Sequence, residues 1–510
     1  MNQDLKNYKR QTGHTLKLVI MSVIGVFLFM ALIPGRDGIP NIPLGYAISW
    51  LGLTLNNNIQ VNGFGILVLL AAVLITISLI GSVLAYTVKP AFIMDNERLK
   101  KLFHCGIVYL VSKAIAVALV WMVFFRVGPD WLVGWEGARL MMYLIGDASS
   151  GSTLMSIFII LGLAIPLLTD FGLMEFLGIL IKRVVKFLFT LPGRSSIDLL
   201  GSWFSSSAAS VIITRDQHEK GYYTGREAAA ICVNFTLVSL PFTFVVASTA
   251  GLTAHFLTFY IIITFTTLLL AVVMPRIWPL RGIKDEYLPE VGKQIDEEVP
   301  QNSSLFAWAT NLASKRASET TPMDVVKSGL SNWLSIFMDL IPVILAWGTI
   351  ALVIDATTPI FTWISWPFGQ FMNLLGVQEA TVWASATVVG FVDMFIPAMM
   401  LGATEPIYVE YAGQTLPVID GYVSIGGAAV AAIAADLPEA ANIITRYIAP
   451  LQTRFIIGAL SIVQIIYLAE TGILILKSRI PLHIGHLAIL FTMRTVFALP
   501  IIVGLTWLFL

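Results

Sequence analysis

The sequence predicts an all-α polytopic membrane protein of about nine transmembrane helices, with two re-entrant hairpins arranged as an inverted repeat. Three observations predict it. Of the 510 residues, 57% are hydrophobic and only 12% are charged, with a mean hydropathy of +0.83. Soluble domains carry about 25% charged residues, so this chain could not cover a water-exposed surface of its size. The apolar runs are about twenty residues long and continuous rather than short alternations, which selects helices over a barrel, the two structures that satisfy a backbone in lipid. Basic residues cluster in alternate loops, which gives the spans a direction.

The apolar runs lie near residues 18–34, 63–88, 104–125, 153–175, 228–250, 256–275, 330–354, 454–476 and 484–509. Lys6, Lys9, Arg10 and Lys17 precede the first run, which lacks a small-x-small cleavage site and therefore reads as a retained span rather than a signal peptide. Lys89, Arg98, Lys100 and Lys101 fall between the second and third runs, and Lys182, Arg183, Lys186, Arg194, Arg215 and Lys220 between the fourth and fifth. Arg276, Arg281, Lys284, Lys315 and Arg316 follow the sixth, and Lys477 and Arg479 precede the last. The positive-inside rule then places the N-terminus in the cytoplasm and the C-terminus outside, in a bacterial inner membrane.

Domain boundaries follow from these runs. Residues 1–150 form N-terminal spans, and 151–275 a first repeat with a hairpin at 195–215. Residues 276–328, with Asp285, Glu286, Glu290, Asp296, Glu297 and Glu298, read as a cytoplasmic linker. Residues 329–476 form a second repeat with a hairpin at 379–400 and an insertion at 403–450, and 477–510 a last span. The repeat rests on local pattern. Pro166 and Gly172 recur as Pro342 and Gly348, each pair expected to kink a span, and a semi-polar helix follows each pair, at 176–191 and 359–375. Next comes a stretch too polar for an ordinary span: SSIDLLGSWFSSSAASVIITR from Ser195, and EATVWASATVVGFVDMFIPAMM from Glu379. Opposite orientation of the two units makes an inverted repeat, a construction of many secondary carriers. Hairpin turns are expected at Ser205–Ser207 and at Gly390–Pro397, since broken backbone survives at membrane depth only where it lines a cavity.

The block from Leu199 to Phe242, with GSWFSSSAASVIITRDQHEKGYYTGREAA and NFTLVSLPF, resembles the YjiH group of nucleoside-recognition Gate-domain membrane proteins. So does the C-terminal block RFIIGALSIVQIIYLAETGILILKSRIPL with RTVFALPI. The resemblance implies a Gate-type membrane fold related to concentrative nucleoside transporters and to the membrane part of ferrous-iron permeases. It supplies no substrate. The insertion at 403–450 departs from the family pattern, with an apolar Tyr422–Ala435 stretch that reads as an extra helix or an external lid.

Ionisable and polar groups inside spans are the candidate functional residues, because each costs several kcal/mol there, roughly 2.5–3.5 on insertion scales, unless paired or solvated. Ser205, Ser206, Ser207, Asn234, Thr236, Asp393 and Gln464 are the candidates for binding a solute. Glu470, together with Asp393, is the candidate for ion coupling, with Arg494 either tuning Glu470 or simply pairing with it. Asp198 reads equally as a cap on the first hairpin's short helix. Lys113 is expected to snorkel to the cytoplasmic face. His483 and His486 have no further ligands nearby and read as the start of a helix. Cys105 and Cys232 share no redox or metal spacing and read as packing residues.

No Walker loop, GxSxG or HExxH is present, so the sequence carries no signal for a nucleotide motor, a hydrolase or a metalloprotease. The expectation is a non-enzyme without cofactor that moves a small polar solute by alternating access, coupled to Na⁺ or H⁺. A nucleoside or nucleobase comes first by resemblance, and an amino acid or small peptide derivative next. A non-transporting assembly or signalling component on the same scaffold is the rival of a different class. The expected partners are the solute and the lipid bilayer, with no nucleic acid at a net charge of zero and with monomer and homo-oligomer both open.

Overall fold

The computed structural model describes residues 12–31, 33–34, 40–62, 64–104, 106–129, 154–204, 207–235, 240–250, 252, 255–293, 304–335, 337–338, 341–377, 380–391, 394–402, 407–411, 414–418, 449–463, 473–476 and 478–509. These are overwhelmingly helical. Among the described residues, four helices are long and apolar enough to cross a bilayer by themselves: Thr12–Met30, Ile66–Thr87, the run beginning at Phe256, and Ile484–Phe509. The last has 26 residues, about 39 Å at 1.5 Å per residue, against a hydrocarbon core of about 30 Å.

Other expected spans are shorter or broken. The run 153–175 is one arm of a bent pair, Met155–Thr169 and Leu173–Phe189, which meet at 57°. Pro166 lies inside the first arm, and Gly172 closes it in the left-handed region at φ +92°. At the similar Pro342/Gly348 pattern the helix Ile341–Thr357 runs through Gly348 unbroken, while residues 339 and 340, ahead of it, lie outside the described residues. The run 228–250 is two ten-residue helices, Gly225–Asn234 and Leu240–Thr249. Each is about 15 Å long, half a bilayer. Three short antiparallel ladders amend the all-α expectation: Ile33–Pro34 with Pro40–Asn41, Gln60–Val61 with Phe64–Gly65, and Ile407–Tyr411 with Gln414–Val418. The third lies in the 403–450 insertion, whose Tyr422–Ala435 stretch is outside the described residues.

The chain divides into two compact units. The smaller comprises Ile42–Ala164 and Met323–Ile364. In it Ile66–Thr87 packs on Ile107–Phe125, which packs on Ile341–Thr357. Hydrogen bonds between helices run along these seams: Trp121 Nε1 donates to Thr76 Oγ1 at 2.9 Å, and Trp347 Nε1 to Ser112 Oγ at 3.0 Å. Gly162 and Gly329 let two helices approach so closely that a Cβ on Gly329 would lie 2.9 Å from the Gly162 carbonyl oxygen. Lys113 does not snorkel. Its side chain is fully buried, donating to Ser82 Oγ at 3.0 Å and to the Leu102 carbonyl at 3.3 Å. The physical reason is the short helix Glu97–Phe103, which packs on Ile66–Thr87 and brings a carbonyl to the amine.

The larger unit comprises Met1–Asn41, Ile165–Pro322 and Ser365–Leu510. Within it, Leu305–Glu319 packs against both Thr12–Met30 and Leu173–Phe189 through the buried small residues Ala309, Ala313 and Ala317. Asp170 and Thr320 close this corner: the Thr320 hydroxyl donates to the Asp170 carbonyl at 2.7 Å, and Lys17 donates to the Thr320 carbonyl. Glu175 faces Arg316 at 3.8 Å, a partly solvated pair.

Two pairs of short helices fill the stretches expected to be hairpins. Ser195–Phe204 and Ser207–Glu219 pack against each other. Ala380–Val389 and Phe395–Gly402 do the same, and the chain leaves the first at Gly390 and enters the second after Met394.

Candidate functional site

The site is built on the helix Gly225–Asn234. It starts where it does because Thr224 is an N-cap in a capping box: Thr224 Oγ1 accepts from the Glu227 amide at 3.1 Å, and Glu227 Oε2 accepts from the Thr224 amide at 2.8 Å. The segment after Ile283 straps this end. The Thr224 hydroxyl donates to Asp285 Oδ1 at 2.6 Å, and the Gly225 amide donates to the Glu286 carbonyl at 3.0 Å. Gly225 is needed here, since a Cβ would stand 3.0 Å from the Pro481 ring. Ala228, Ala229 and Ala230 are all buried, so neighbours close in around a thin helix.

The helix ends in the protein interior. Phe235 leaves helical geometry at φ −123° and ψ −1°, and its ring packs edge-on against Phe189 at 4.8 Å. Carbonyls at a helix C-terminus have lost their partners and must find others away from water. Arg494, from the last long helix, supplies them. Its guanidinium is 0% exposed. Nη1 donates to the Val233 carbonyl at 3.0 Å and to Asn234 Oδ1 at 2.8 Å. Nε and Nη2 both donate to the Val463 carbonyl, at 3.1 and 2.9 Å.

Val463 is the last described residue of Ala449–Val463, the second-half helix that contains Thr453 and Arg454. A carbonyl oxygen has two lone pairs, and two guanidinium N–H groups reach the one at Val463. The guanidinium thus bridges Val233 and Asn234 of one half and Val463 of the other.

Asn234 is 0% exposed, and among the described residues its Nδ2 has no hydrogen-bond partner. The amide cannot be turned round to hide that fact. Guanidinium is a donor only, so the flipped amide would set donor against donor. A buried, oriented and unsatisfied N–H₂ group costs about 1–3 kcal/mol unless something binds it.

Aromatic contacts bring the other breaks to this neighbourhood. Phe391, in the break after Val389, packs at 4.8 Å on Phe491, within one turn of Arg494 on the same helix. Phe242 and Phe395, in the first turns of Leu240–Thr249 and Phe395–Gly402, meet at 6.3 Å. Of the expected site residues, Asn234 is at the centre. Ser207 opens a helix, whereas Ser205, Ser206, Thr236, Asp393, Gln464 and Glu470 lie outside the described residues. Asp198 falls in Ser195–Phe204, and the His483 amide donates to His486 Nδ1 at 3.3 Å where the last helix begins. The part of the site that the sequence did not disclose is the reach of Arg494 to carbonyls of both helices. An arginine alone in an apolar helix was the only signal.

Residues 152–253, which include the bent pair, both helices of the first expected hairpin and Asn234, match the family model described as Gate, nucleoside recognition. An uncharacterized protein of Alkalihalophilus pseudofirmus is 36% identical over 513 aligned residues, covering 98% of this chain and 95% of that protein. A solved structure of CNTnw in an inward-facing, substrate-bound state aligns over 91% of this chain and 97% of that one, at 14% identity and a TM-score of 0.31, a likeness that fixes neither fold nor function here. Identity sustained over nearly the whole length, together with the matched Gate segment, means that the chain belongs to the Gate-domain, nucleoside-recognition family alongside the Alkalihalophilus protein.

Proposed function

We propose that this protein is a secondary carrier of a small polar solute in a bacterial inner membrane, with its N-terminus in the cytoplasm. The observation that carries the reading is the Asn234 amide: its oxygen is held by Arg494 while its buried N–H₂ has no partner among the described residues, where the helix Gly225–Asn234 ends. A solute oxygen or ring nitrogen completes that group. The base carbonyls and ring nitrogens of nucleosides and nucleobases have this acceptor chemistry, which agrees with the description of the matched family model.

In this reading the paired short helices at 195–219 and 380–402 are re-entrant hairpins of opposite orientation, and the two halves alternate access to a solute held between them. Ser205, Ser206, Ser207, Thr236 and Gln464 complete the polar lining. Asp393 and Glu470 carry the coupling ion, Na⁺ or H⁺.

The test is uptake by the purified full chain in proteoliposomes, with nucleosides, nucleobases, amino acids and small peptides each offered under a sodium or a proton gradient. Accumulation of one class, dependent on one gradient, is the expected result. A chain that moves nothing under either gradient, while remaining folded and inserted, overturns the carrier reading in favour of an assembly or signalling role.

A further inference from the structure

The end of Gly225–Asn234 and a carbonyl of Ala449–Val463, from opposite halves of the chain, meet one guanidinium, and this arrangement says more than that a charge is paired. A helix C-terminus carries about half a negative elementary charge in its unsatisfied carbonyls. In many carriers, broken helices use such ends to coordinate a cation. Here the Val233 carbonyl and the Asn234 amide oxygen on one side, and the Val463 carbonyl on the other, surround the Arg494 guanidinium at 2.8–3.1 Å from its donating nitrogens.

We infer that these three oxygens form a cation seat whose resident cation is the Arg494 side chain, and that Arg494 thereby positions Asn234 as an obligatory donor to the solute. The second half of this inference rests on the carrier reading above. The first half does not. Two consequences follow. No free metal cation is needed at this seat, so a coupling ion binds elsewhere. The solute must present an acceptor, not a donor, to Asn234, because the guanidinium fixes which end of the amide faces it.

Arginine suits the task on physical grounds. Its planar fork donates in several directions at once and stays ionised when buried, whereas a lysine amine is a point charge on a flexible stem. The fork spans both helices here, with Nη1 serving one and Nε and Nη2 the other.

The test uses the purified full chain in detergent, without solute, and the Arg494→Ala variant. Thermal midpoints are compared in guanidinium and in sodium or potassium salts of equal ionic strength. The variant is expected to melt lower than the parent and to recover part of the loss in guanidinium, while the parent shows no such gain. In proteoliposomes the same variant should lose about tenfold to hundredfold in kcat/KM, the range for a lost hydrogen bond to a charged group, with partial recovery on adding guanidinium. A variant indifferent to guanidinium, or a parent equally stabilised by it, overturns the seat.

Arg494→Lys serves as the second variant and decides the case if Arg494→Ala does not fold. Its amine cannot span both helices, so KM should rise; an unchanged KM and melting midpoint overturn the inference. The two readings fail separately. If guanidinium rescues stability but no solute is moved by the parent, the seat stands and the carrier reading falls. If the parent transports but Arg494→Ala ignores guanidinium, only the seat falls.

Discussion

Asn234→Asp separates the two jobs of one side chain. The aspartate keeps an oxygen where Asn234 Oδ1 accepts from Arg494 Nη1 at 2.8 Å, so the helix end stays clamped. What disappears is the N–H₂ donor, which has no partner among the described residues. An added buried carboxylate is costly unless paired, but here it falls directly against a guanidinium, in the geometry where charge-assisted hydrogen bonds are strongest. Folding should therefore be kept, with a thermal midpoint close to that of the parent. Solute affinity should fall, because a carboxylate now faces a solute acceptor. Losing one hydrogen bond of about 0.5–1.5 kcal/mol and gaining repulsion of similar size corresponds to a roughly tenfold to hundredfold rise in KM. Asn234→Ala provides the contrast: it loses the clamp as well, a bond to a charged group worth about 1.5–3 kcal/mol, and should lower both stability and uptake. The measurement is initial uptake against solute concentration, paired with melting in detergent. If Asn234→Asp transports with the parent's KM, the amide nitrogen does not touch the solute and the site has been misread.

Three further outcomes follow from the local geometry. Thr224→Ala removes the N-cap of the Gly225–Asn234 helix and its bond to Asp285; a loss of about 0.5–2 kcal/mol is expected, seen as a lower midpoint, and Thr224→Ser should restore most of it. Gly172→Ala should be far more damaging than an ordinary glycine replacement, because φ is +92° and the new Cβ would lie 2.4 Å from the Ala313 carbonyl oxygen; a midpoint within a degree or so of the parent's would show that the bend does not need this conformation. Burial pushes the His255 imidazole below its ordinary value of 6.5. The unfolded chain then takes up the proton first, so the stability that neutral His255 contributes is present above about pH 6.5 and is lost as the pH falls below it. His255→Gln should flatten that part of the melting profile, and an unchanged profile would remove His255 as its source.

Much of the helical plan was legible because it depends on composition alone. A run such as 66–87 has no stable state in water and one obvious state in lipid. The paired short helices at 195–219 and 380–402 were legible for a related reason: Ser205–Ser207 and the polar end of the second stretch break the apolar run where a span would need to continue. The division of 228–250 into two helices was not legible as a division. Its break is bounded by Phe235 and Leu240, which look like span residues, and the carbonyl at Val233 is satisfied by an arginine 261 residues further along the chain. Hydropathy sees neighbours in sequence, whereas a helix end is stabilised by neighbours in space. The first copy of the Pro-Gly pattern was legible as a bend, with Pro166 inside its helix and Gly172 at φ +92°; of the second, the described part is the helix Ile341–Thr357, which continues through Gly348.

Lys113 and Arg494 show where sequence reasoning about buried charge reaches its limit. Both are single cations in apolar helices, and both are fully buried with hydrogen bonds to backbone carbonyls. Their surroundings differ in kind. Lys113 donates to a serine hydroxyl and to a carbonyl of a helix packed close beside it, Glu97–Phe103. Arg494 joins two helices that come from different halves of the chain, one of them carrying an asparagine whose amide nitrogen has no partner among the described residues. A cation that ties neighbouring helices together adds to stability. One that ties together helices from different halves of the chain would, in the carrier reading, also set which arrangement of those halves is favoured. That distinction is visible only once the acceptors are known, and it places Arg494 rather than Lys113 at the centre of the transport reading.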